Sequence, residues 1–218
     1  MKVILVNGSP KEKGCTYTAL KEVEKQLNKN DIETEIFWIG NKPVSGCLGC
    51  GGCLKTGKCV IDDKVNEFLG KVKETDGFVF GSPVHFAASS GMLSSFMDRV
   101  FYGRGKLFAN KVASAVVSCR RGGATAALDE INKYFLMTNM PIVSSQYWNM
   151  VHGNTPEEVL KDEEGMQTMR TLGNNMAWLL KCIKAGKDVG INLPENEDVI
   201  RKDGDAHLGP DAGDGDQL

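Results

Sequence analysis

Short runs of consecutive apolar residues alternate along the chain with longer segments in which apolar residues recur every three or four positions. The first run, residues 3–6, is rich in β-branched residues and stops at a turn, which predicts a buried strand. In residues 16–29, Leu20, Val23 and Leu27 share one face, which predicts a helix. Alternating residues predict a second strand at 33–39, and apolar runs predict strands at 77–81, 111–118 and 142–145. The helical pattern predicts further helices at 65–73, 92–101, 124–137 and 163–185.

Strands that alternate with helices are typical of a parallel sheet that is covered by helices on both faces. Five such strands predict an α/β fold, a doubly wound five-stranded parallel sheet with the strand order 2-1-3-4-5. Ligands of such sheets bind at the carboxyl ends of the strands, beside strands one and three, where the strand order reverses. We therefore expect the functional loops directly after these strands.

The composition adds a size and a charge distribution to this prediction. The 218 residues are 41% hydrophobic and 25% charged, as in an ordinary globular protein with one core. We expect one domain over residues 1–190 and an acidic, Gly- and Asp-rich tail over 191–218. Residues 195–218 contain eight acidic and two basic residues, which leaves 20 acidic and 24 basic residues in the rest of the chain.

Charge and hydropathy also exclude several classes of partner. The small positive charge of the first 194 residues is not concentrated in a Lys- and Arg-rich block, so a nucleic acid is not an expected partner. No run of 18 apolar residues occurs, so we expect no membrane partner. Because the first apolar run is too short for a signal peptide, we expect a cytoplasmic protein.

The loop after the first predicted strand has the residues of an anion site. It leads into the first helix, so its backbone N–H groups and the helix N-terminus favour a negative charge. Ser9, Thr16 and Thr18 supply hydroxyl groups, and Lys11 supplies an ammonium group. The G-x-x-x-x-G-K-[ST] and G-x-G-x-x-G patterns are absent, which disfavours a nucleoside triphosphate and a dinucleotide bound through its pyrophosphate. Alternatively, the three hydroxyls only cap the helix or close the turn.

Four of the seven cysteines form the most specific pattern in the chain, Cys47-x2-Cys50-x2-Cys53-x5-Cys59. The pattern lies in the glycine-rich residues 46–60, which have neither helical nor strand periodicity and are predicted as a loop. Four closely spaced thiolates suit a [4Fe–4S] cluster, since the short intervals supply three corners and the longer interval supplies the fourth. The alternatives are thiols without a metal and a structural zinc ion, although zinc sites normally use two cysteine pairs set well apart.

The loop after the fourth predicted strand reads Cys119-Arg120-Arg121-Gly122-Gly123. It lies at the same sheet edge as the first loop, where a guanidinium group or a backbone N–H would stabilise negative charge on a ligand. The alternative is a pair of solvated arginines before a glycine turn. The side chains of Cys119 and Cys182 have apolar neighbours in the sequence and are expected in the core.

Two of these loops carry a recognisable combination of residues. Gly8-Ser9-Pro10 with Lys11 and Thr16, followed by Gly81-Ser82-Pro83-Val84-His85-Phe86, resembles the motifs of the flavodoxin-like NAD(P)H-dependent FMN reductases. In that family the first loop binds the FMN phosphate and the second runs along the isoalloxazine ring. The resemblance implies phosphate contacts from Ser9, Lys11, the main chain of Cys15, Thr16 and Thr18. It implies ring contacts from Pro83, Val84, His85, Phe86 and the loop that contains Cys119, Arg120 and Gly122.

With the cysteine motif included, the chain resembles the iron–sulfur flavoproteins, which carry a [4Fe–4S] cluster near FMN and accept electrons from ferredoxin. The resemblance implies a flavin-dependent oxidoreductase whose cluster is bound by Cys47, Cys50, Cys53 and Cys59. It also implies ferredoxin or NAD(P)H as the electron donor, a small molecule or a flavin as the acceptor, and a homodimer or homotetramer. No catalytic side chain is expected, because the flavin itself carries out the transfer. A cluster-free NAD(P)H-dependent FMN or quinone reductase and a flavodoxin-like electron carrier are the alternatives.

Overall fold

Five parallel strands form a single sheet in this computed structural model, which describes residues 1–194. The strands are β1 (Lys2–Asn7), β2 (Glu33–Trp38), β3 (Gly77–Pro83), β4 (Val112–Cys119) and β5 (Met150–His152). They are ordered β2-β1-β3-β4-β5, and every neighbouring pair is parallel. The predicted fold class and strand order are therefore confirmed, whereas the acidic tail lies outside the described residues from 195 onward.

Helices cover both faces of the sheet. Over residues 1–194 they are α1 (Cys15–Lys29), α2 (Gly52–Thr56), α3 (Lys64–Leu69), α4 (Gly91–Arg104), α5 (Ala124–Met137), α6 (Pro156–Val159) and α7 (Glu163–Asp188). Helices α1 and α7 contribute their apolar residues to one face, and α3, α4 and α5 contribute theirs to the other. Within this part of the chain, no helix is both long and apolar enough to cross a membrane.

Strands β1, β3 and β4 are buried because they are apolar on both sides, whereas β2, at one edge of the sheet, is only partly buried. In β1, Val3 and Leu5 belong to the core under α1 and α7, while Ile4 and Val6 belong to the core under α3, α4 and α5. This division follows from the strand geometry, which turns successive side chains to opposite faces. Every residue of β4 is also buried, as expected for a parallel strand between two helical layers.

Aromatic rings fill the layer between the sheet and helices α3 to α5. Phe68 of α3 lies at its centre, with ring centroids 5.4 Å from Phe37, 5.8 Å from Phe78 and 5.3 Å from Phe96. Burial of one such ring contributes about 1.5–3 kcal/mol to the free energy of unfolding. The rings therefore fix α3 and α4. These two helices border residues 46–60, the cysteine segment, which contains the four cysteines of the motif.

The prediction of a fifth strand at 142–145 is wrong. Ile142 forms only an isolated bridge with Ala113, near the amino end of β4. The chain then turns toward α7, where Ser145 Oγ donates to the Thr168 carbonyl at 2.7 Å. The sheet is completed instead by β5, which pairs with the carboxyl end of β4. Residue 142 and strand β5 thus pair with different parts of β4. Only β5 reaches the carboxyl edge of the sheet, the functional edge, where the loops after the strands lie.

Three local predictions are also corrected. The segment predicted as a loop contains α2, and the helix predicted at 65–73 divides at Gly70 into α3 and the 3-10 turn Val72–Glu74. Cys182 is exposed on α7, whereas Cys119 is buried as predicted. The reason is helical geometry, because Cys182 lies two positions after the buried Leu180 and so points to the opposite side of the helix.

Gly173 sets the contact between α1 and α7, since a Cβ atom there would lie 2.9 Å from the Val23 backbone oxygen. We expect Gly173→Ala to push the helices apart and to lower the free energy of unfolding by about 1–3 kcal/mol, as at other overpacked sites. Urea denaturation measures this change. Gly186→Ala on the same helix is the matched control, because its Cβ would meet nothing closer than 3.8 Å. Equal stability of the two variants would contradict the helix packing described above.

Candidate functional site

Three loops meet at the carboxyl edge of the sheet. They are residues 8–14 after β1, 84–90 after β3 and 120–123 after β4. Gly8 N donates to the Gly81 carbonyl at 2.8 Å, which joins the first loop to β3. Thr16 and Ser118 share a hydroxyl hydrogen bond of 2.9 Å, and Val84 N donates to the Ser118 carbonyl at 2.9 Å. The loops that the sequence singles out are therefore connected at one edge.

The first loop is fastened by the ends of two neighbouring strands. Asn7 Nδ2, at the end of β1, donates to the Glu12 carbonyl at 2.8 Å, and Trp38 Nε1, at the end of β2, donates to the Ser9 carbonyl at 2.8 Å. Within the loop, Ser9 Oγ accepts a hydrogen bond from Lys11 N at 3.1 Å. Neither Asn7 nor Trp38 was identified from the sequence, although a polar group on the last residue of a strand at this edge is a usable signal.

The other predicted phosphate ligands use their side chains within the protein. The Thr16 hydroxyl is bonded to Ser118, and Thr18 Oγ1 donates to the Gly14 carbonyl at 3.2 Å. Cys15 Sγ lies 3.7 Å from the Gly153 carbonyl, and burial raises the pKa of this thiol. Their roles as phosphate ligands stay predictions. Because these side chains are already bonded within the protein, contact with a phosphate through the backbone N–H groups of this turn is favoured.

Two helices begin at this edge without a side-chain cap. The N-cap residues of α1 and α5 are Gly14 and Gly123, whereas Ser90 caps α4 and Asp162 caps α7 through their side chains. The first turn of a helix leaves N–H groups without intrahelical acceptors, and the helix dipole adds positive charge there. An anion at this edge would therefore replace the missing caps.

The loop after β3 ends in a tight turn. His85 and Ala88 exchange backbone hydrogen bonds of 2.9 and 3.0 Å. Between them, Phe86 (φ 51°) and Ala87 (φ 61°) have the left-handed backbone that residues with a Cβ rarely adopt. The Phe86 side chain is fully exposed. Backbone strain of this kind concentrates at binding sites, where the surrounding structure must hold it in place.

Helix α5 holds the strained turn in place. Glu130 Oε2 accepts a hydrogen bond from Ser89 N at 2.6 Å, and Oε1 accepts from the Ser89 and Ser94 hydroxyls at 3.2 Å each. The third loop approaches closely, since a Cβ atom at Gly123 would lie only 2.8 Å from Ala87 Cα. Glu130 was not identified from the sequence, because it belongs to no motif and its partners lie on other elements.

The residues predicted to contact a flavin ring fall into two groups. Exposed residues are His85, Phe86, Arg120 and Gly122, and half-buried ones are Pro83 and Val84. Cys119 differs from both, because it is only 6% exposed and burial raises the pKa of its thiol. Its carbonyl accepts a hydrogen bond from Gly153 N at 3.0 Å. The Cys119 side chain therefore belongs to the core, and a ring contact from this residue stays a prediction.

The cysteine segment forms a second candidate site. All four thiols of the motif line one pocket, and Arg99 forms part of its wall. Cys47 and Cys50 are exposed, whereas Cys53 and Cys59 are half buried. The pKa of the Cys53 thiol is raised, and burial is the main cause. The other three thiols raise this pKa further when they are ionised. The fold thus brings the predicted cluster ligands to one place.

Glycines allow this segment to fold closely against α4. Gly51 starts α2 with a left-handed backbone (φ 64°), which only glycine adopts without strain. Gly103 of α4 faces the segment, and a Cβ atom there would lie 2.1 Å from Cys53 Sγ. A side chain at position 103 would therefore fill the space that the Cys53 sulfur occupies.

Cys59 is held both by its backbone and by its thiol. Asn66 Oδ1 accepts a hydrogen bond from Cys59 N at 2.8 Å, and Asn66 Nδ2 donates to the Cys59 carbonyl at 2.9 Å. Arg99 Nε and Nη2 donate to Cys59 Sγ at 3.3 and 3.2 Å. Neither Asn66 nor Arg99 was identified from the sequence, because Asn66, 7 residues after Cys59, belongs to no motif and Arg99 lies 40 residues from this cysteine.

The donor set fits an iron–sulfur cluster. Among residues 1–194, no three His, Cys, Asp or Glu side chains converge on a point where one metal ion would bind. A [4Fe–4S] cluster binds each thiolate at a different iron, so it requires sulfur ligands around a volume rather than at one point. Four sulfurs around one pocket, with no oxygen or nitrogen donor required, meet that requirement.

The two candidate sites lie at different levels of α4. Ser90 caps the helix at the sheet edge, and Gly103 contacts Cys53 near the other end. At the rise of an α-helix, the two residues are about 20 Å apart along its axis. The chain leaves β2 at the functional edge and then folds against α4. The thiols therefore lie away from the edge loops of the same chain.

Known proteins share both the sequence and the fold of this chain. The family model for NADPH-dependent FMN reductases matches residues 1–155. An iron–sulfur flavoprotein of Methanocaldococcus jannaschii is 36% identical over 192 residues, which cover 84% of this chain and 100% of that protein. An iron–sulfur flavoprotein of Methanosarcina thermophila is 30% identical over 193 residues, which cover 86% of this chain and 100% of that protein.

Solved structures with little sequence similarity have the same architecture. RosB with a bound formylriboflavin phosphate intermediate matches with a TM-score of 0.65 at 15% identity, over 96% of this chain and 97% of that one. A flavodoxin from the domain Archaea matches with a TM-score of 0.57 at 14% identity, over 83% of this chain and 99% of that one. At these identities the likeness shows the fold alone.

The burial of the thiols predicts their order of reactivity in the metal-free chain. A raised pKa leaves less thiolate at a given pH, so Cys119 should react last with iodoacetamide at about pH 8. The exposed Cys47 and Cys50 should react first. Mass spectrometry of the alkylated peptides measures the order, with exposed Cys182 as the internal reference. Alkylation of Cys119 as fast as Cys182 would contradict the structure.

Proposed function

Since the chain belongs to the NADPH-dependent FMN reductase family, and within it to the iron–sulfur flavoproteins, it is a flavin-dependent oxidoreductase that uses FMN, and we propose that it also carries a [4Fe–4S] cluster. In this proposal, electrons pass between a ferredoxin-like donor, the cluster and FMN. The single observation that carries the proposal is the pocket lined by all four thiols of the cysteine motif.

We assign the cluster to Cys47, Cys50, Cys53 and Cys59. The assignment is supported by the all-sulfur donor set, by the space that Gly103 leaves for Cys53, and by the bonds that hold Cys59. The cluster would supply one-electron transfer. The exposed pair, Cys47 and Cys50, leaves the pocket open to solvent, so iron and sulfide can enter the folded chain.

We assign the FMN phosphate to the uncapped start of α1. Lys11 would supply a charge, Ser9 Oγ a hydroxyl, and the turn at Cys15 and Thr16 its backbone N–H groups, with Thr18 fixing that turn through Gly14. FMN, when bound, supplies the transfer of one or two electrons. The phosphate would replace the missing helix cap, which is the physical reason for this placement.

We place the isoalloxazine ring against the loops after β3 and β4, which are in contact with each other. The strained turn presents His85 and Phe86, while Pro83 and Val84 form its base. In the loop after β4, Arg120 and the Gly122 backbone would stabilise negative charge on the ring. The hydrogen bonds of Glu130 keep the turn in one conformation, so these contacts require little reorganisation when the flavin binds.

The rim of the cysteine pocket fits an acidic electron carrier. Leu48, Val60 and Tyr102 are exposed apolar residues on this rim, and Lys55 and Lys58 are exposed on the same segment. Positive charges would guide an acidic protein to the pocket, and the apolar residues would exclude water from the contact. These features support a ferredoxin as the donor, with a small molecule or a flavin as the acceptor.

The family description favours a second candidate function. It names NADPH as the reductant, which would supply a hydride directly to the flavin. In that case the chain is an NAD(P)H-dependent FMN or quinone reductase whose cysteines hold no cluster. Flavin reduction by NADPH in protein without iron, at a rate that added iron does not change, would support this second candidate.

We also propose a homodimer or homotetramer in the cytoplasm. Tyr147 and Trp148 are aromatic and about half exposed near the functional edge, and Phe86 is fully exposed there, so a second copy has apolar groups to cover. All seven cysteines are free thiols, which is consistent with a reducing compartment.

Metal and flavin analysis tests the proposal directly. Protein purified without oxygen is expected to contain about one FMN and about four iron and four sulfide per chain. Cys50→Ser should lose most of the iron and keep the FMN, since the two sites are separate. Cys182→Ser is the matched control, because this exposed cysteine lies on α7 and should change neither value. Wild-type protein with FMN and without iron would contradict the cluster.

The phosphate assignment predicts a selective loss of affinity. Lys11→Met should weaken the binding of FMN about tenfold, or roughly 1.4 kcal/mol, because it removes a charge beside the phosphate. Riboflavin lacks the phosphate, so its binding should not change. Fluorescence titration of the flavin measures both constants, and Lys25→Met, an exposed lysine further along α1, is the control. An equal loss for both flavins would place the phosphate elsewhere.

A further inference from the structure

Arg99 is the most deeply buried charge beside the cysteine pocket. Its side chain is 1% exposed, although it comes from α4, a helix at the edge of the cysteine segment. All three guanidinium nitrogens are bonded to the segment that contains the cysteines or to the turn after it. Nη1 and Nη2 donate to the Asp63 carboxylate at 2.7 and 2.9 Å, and Nη2 also donates to the Ile61 carbonyl at 2.9 Å.

The guanidinium also faces a sulfur through Nε and through Nη2, which shares its two hydrogens among this sulfur, the Asp63 carboxylate and the Ile61 carbonyl. Nε and Nη2 lie 3.3 and 3.2 Å from Cys59 Sγ, so the thiol accepts from two nitrogens of one positive group. Cys59 is the only cysteine of the motif, among the described residues, for which we find such a contact. The ion pair with Asp63 balances the guanidinium charge, and the sulfur lies on the side that the carboxylate leaves free.

Stability alone does not account for this arrangement. Buried ion pairs are often neutral or unfavourable compared with apolar residues of the same volume, because both charges must be removed from water. An apolar residue at position 99 would avoid that cost. The contact with Cys59 is what an apolar residue cannot supply.

We propose that Arg99 is a positioning residue that fixes Cys59 Sγ and raises the reduction potential of the group that Cys59 binds. The proposal rests on the cluster assigned above. Hydrogen bonds to ligand sulfurs and nearby positive charge stabilise the more negative, reduced form of an iron–sulfur cluster, and both raise its potential. Asp63 acts in the opposite direction, since its carboxylate offsets the charge of Arg99.

The test is a redox titration of the anaerobic holoprotein, followed by electron paramagnetic resonance. Arg99→Gln should lower the midpoint potential by the equivalent of a tenfold change in the reduction equilibrium, about 59 mV for one electron. Asp63→Asn should raise the potential, because the positive charge is then unbalanced. The asparagine still caps α3 at Val65, so this variant should fold. Lys64→Gln, which removes an exposed charge next to Asp63, should leave the potential unchanged.

Opposite shifts in the two variants support the proposal. A residue that only clamped the segment would loosen it in both variants, so shifts in the same direction, or none, would overturn the proposal. If Arg99→Gln binds no iron, the Asp63→Asn shift decides, and an unchanged or lower potential overturns the proposal. Wild-type protein without a cluster would overturn the proposed function as well, whereas an intact cluster with unchanged potentials would overturn the role of Arg99 alone.

Discussion

The burial of the central strands of a parallel sheet on both faces is the constraint on which the rest of this structure depends. Strand β4 is buried along its whole length, and β1 is buried from Val3 onward, so reactive polar groups have no place on the faces of the sheet. They are confined to the loops at the carboxyl edge or to a segment outside the layers. The loops proposed to bind FMN use the first position. The cysteine segment uses the second, and it must find its support on the helices around it.

Helix α4 supplies that support and relates the two sites to each other. Ser90 caps its start and donates to the Gly8 carbonyl at 2.7 Å, which ties the helix to the first loop. Arg99 and Gly103 serve the cysteine segment through a buried charge and a missing Cβ. Since one stiff helix carries all three residues, the distance between the sites within a chain is fixed by the fold.

The sequence was most informative where local pattern decides structure. Apolar runs located β1, β3 and β4, alternation located β2, and the turn residues after β1 and β3 located the edge loops. The four cysteines could be grouped because they are close along the chain. Partners that are distant along the chain could not be found this way: Glu130 supports Ser89 from another helix, and Arg99 reaches Cys59 across the pocket. The position of β5 was missed for a related reason. Residues 142–145 have the local pattern of a strand, but only residue 142 pairs with β4, and Ser145 forms a hydrogen bond with α7 instead.

The central claim is that this chain passes electrons between a cluster on the cysteine segment and FMN at the sheet edge. Rapid mixing with a reduced ferredoxin under anaerobic conditions tests it most directly, with cluster and flavin absorbance recorded together. We expect flavin reduction in the wild type to be several times faster than in Cys50→Ser protein that holds the same amount of FMN. Equal rates of flavin reduction in the two proteins would contradict it.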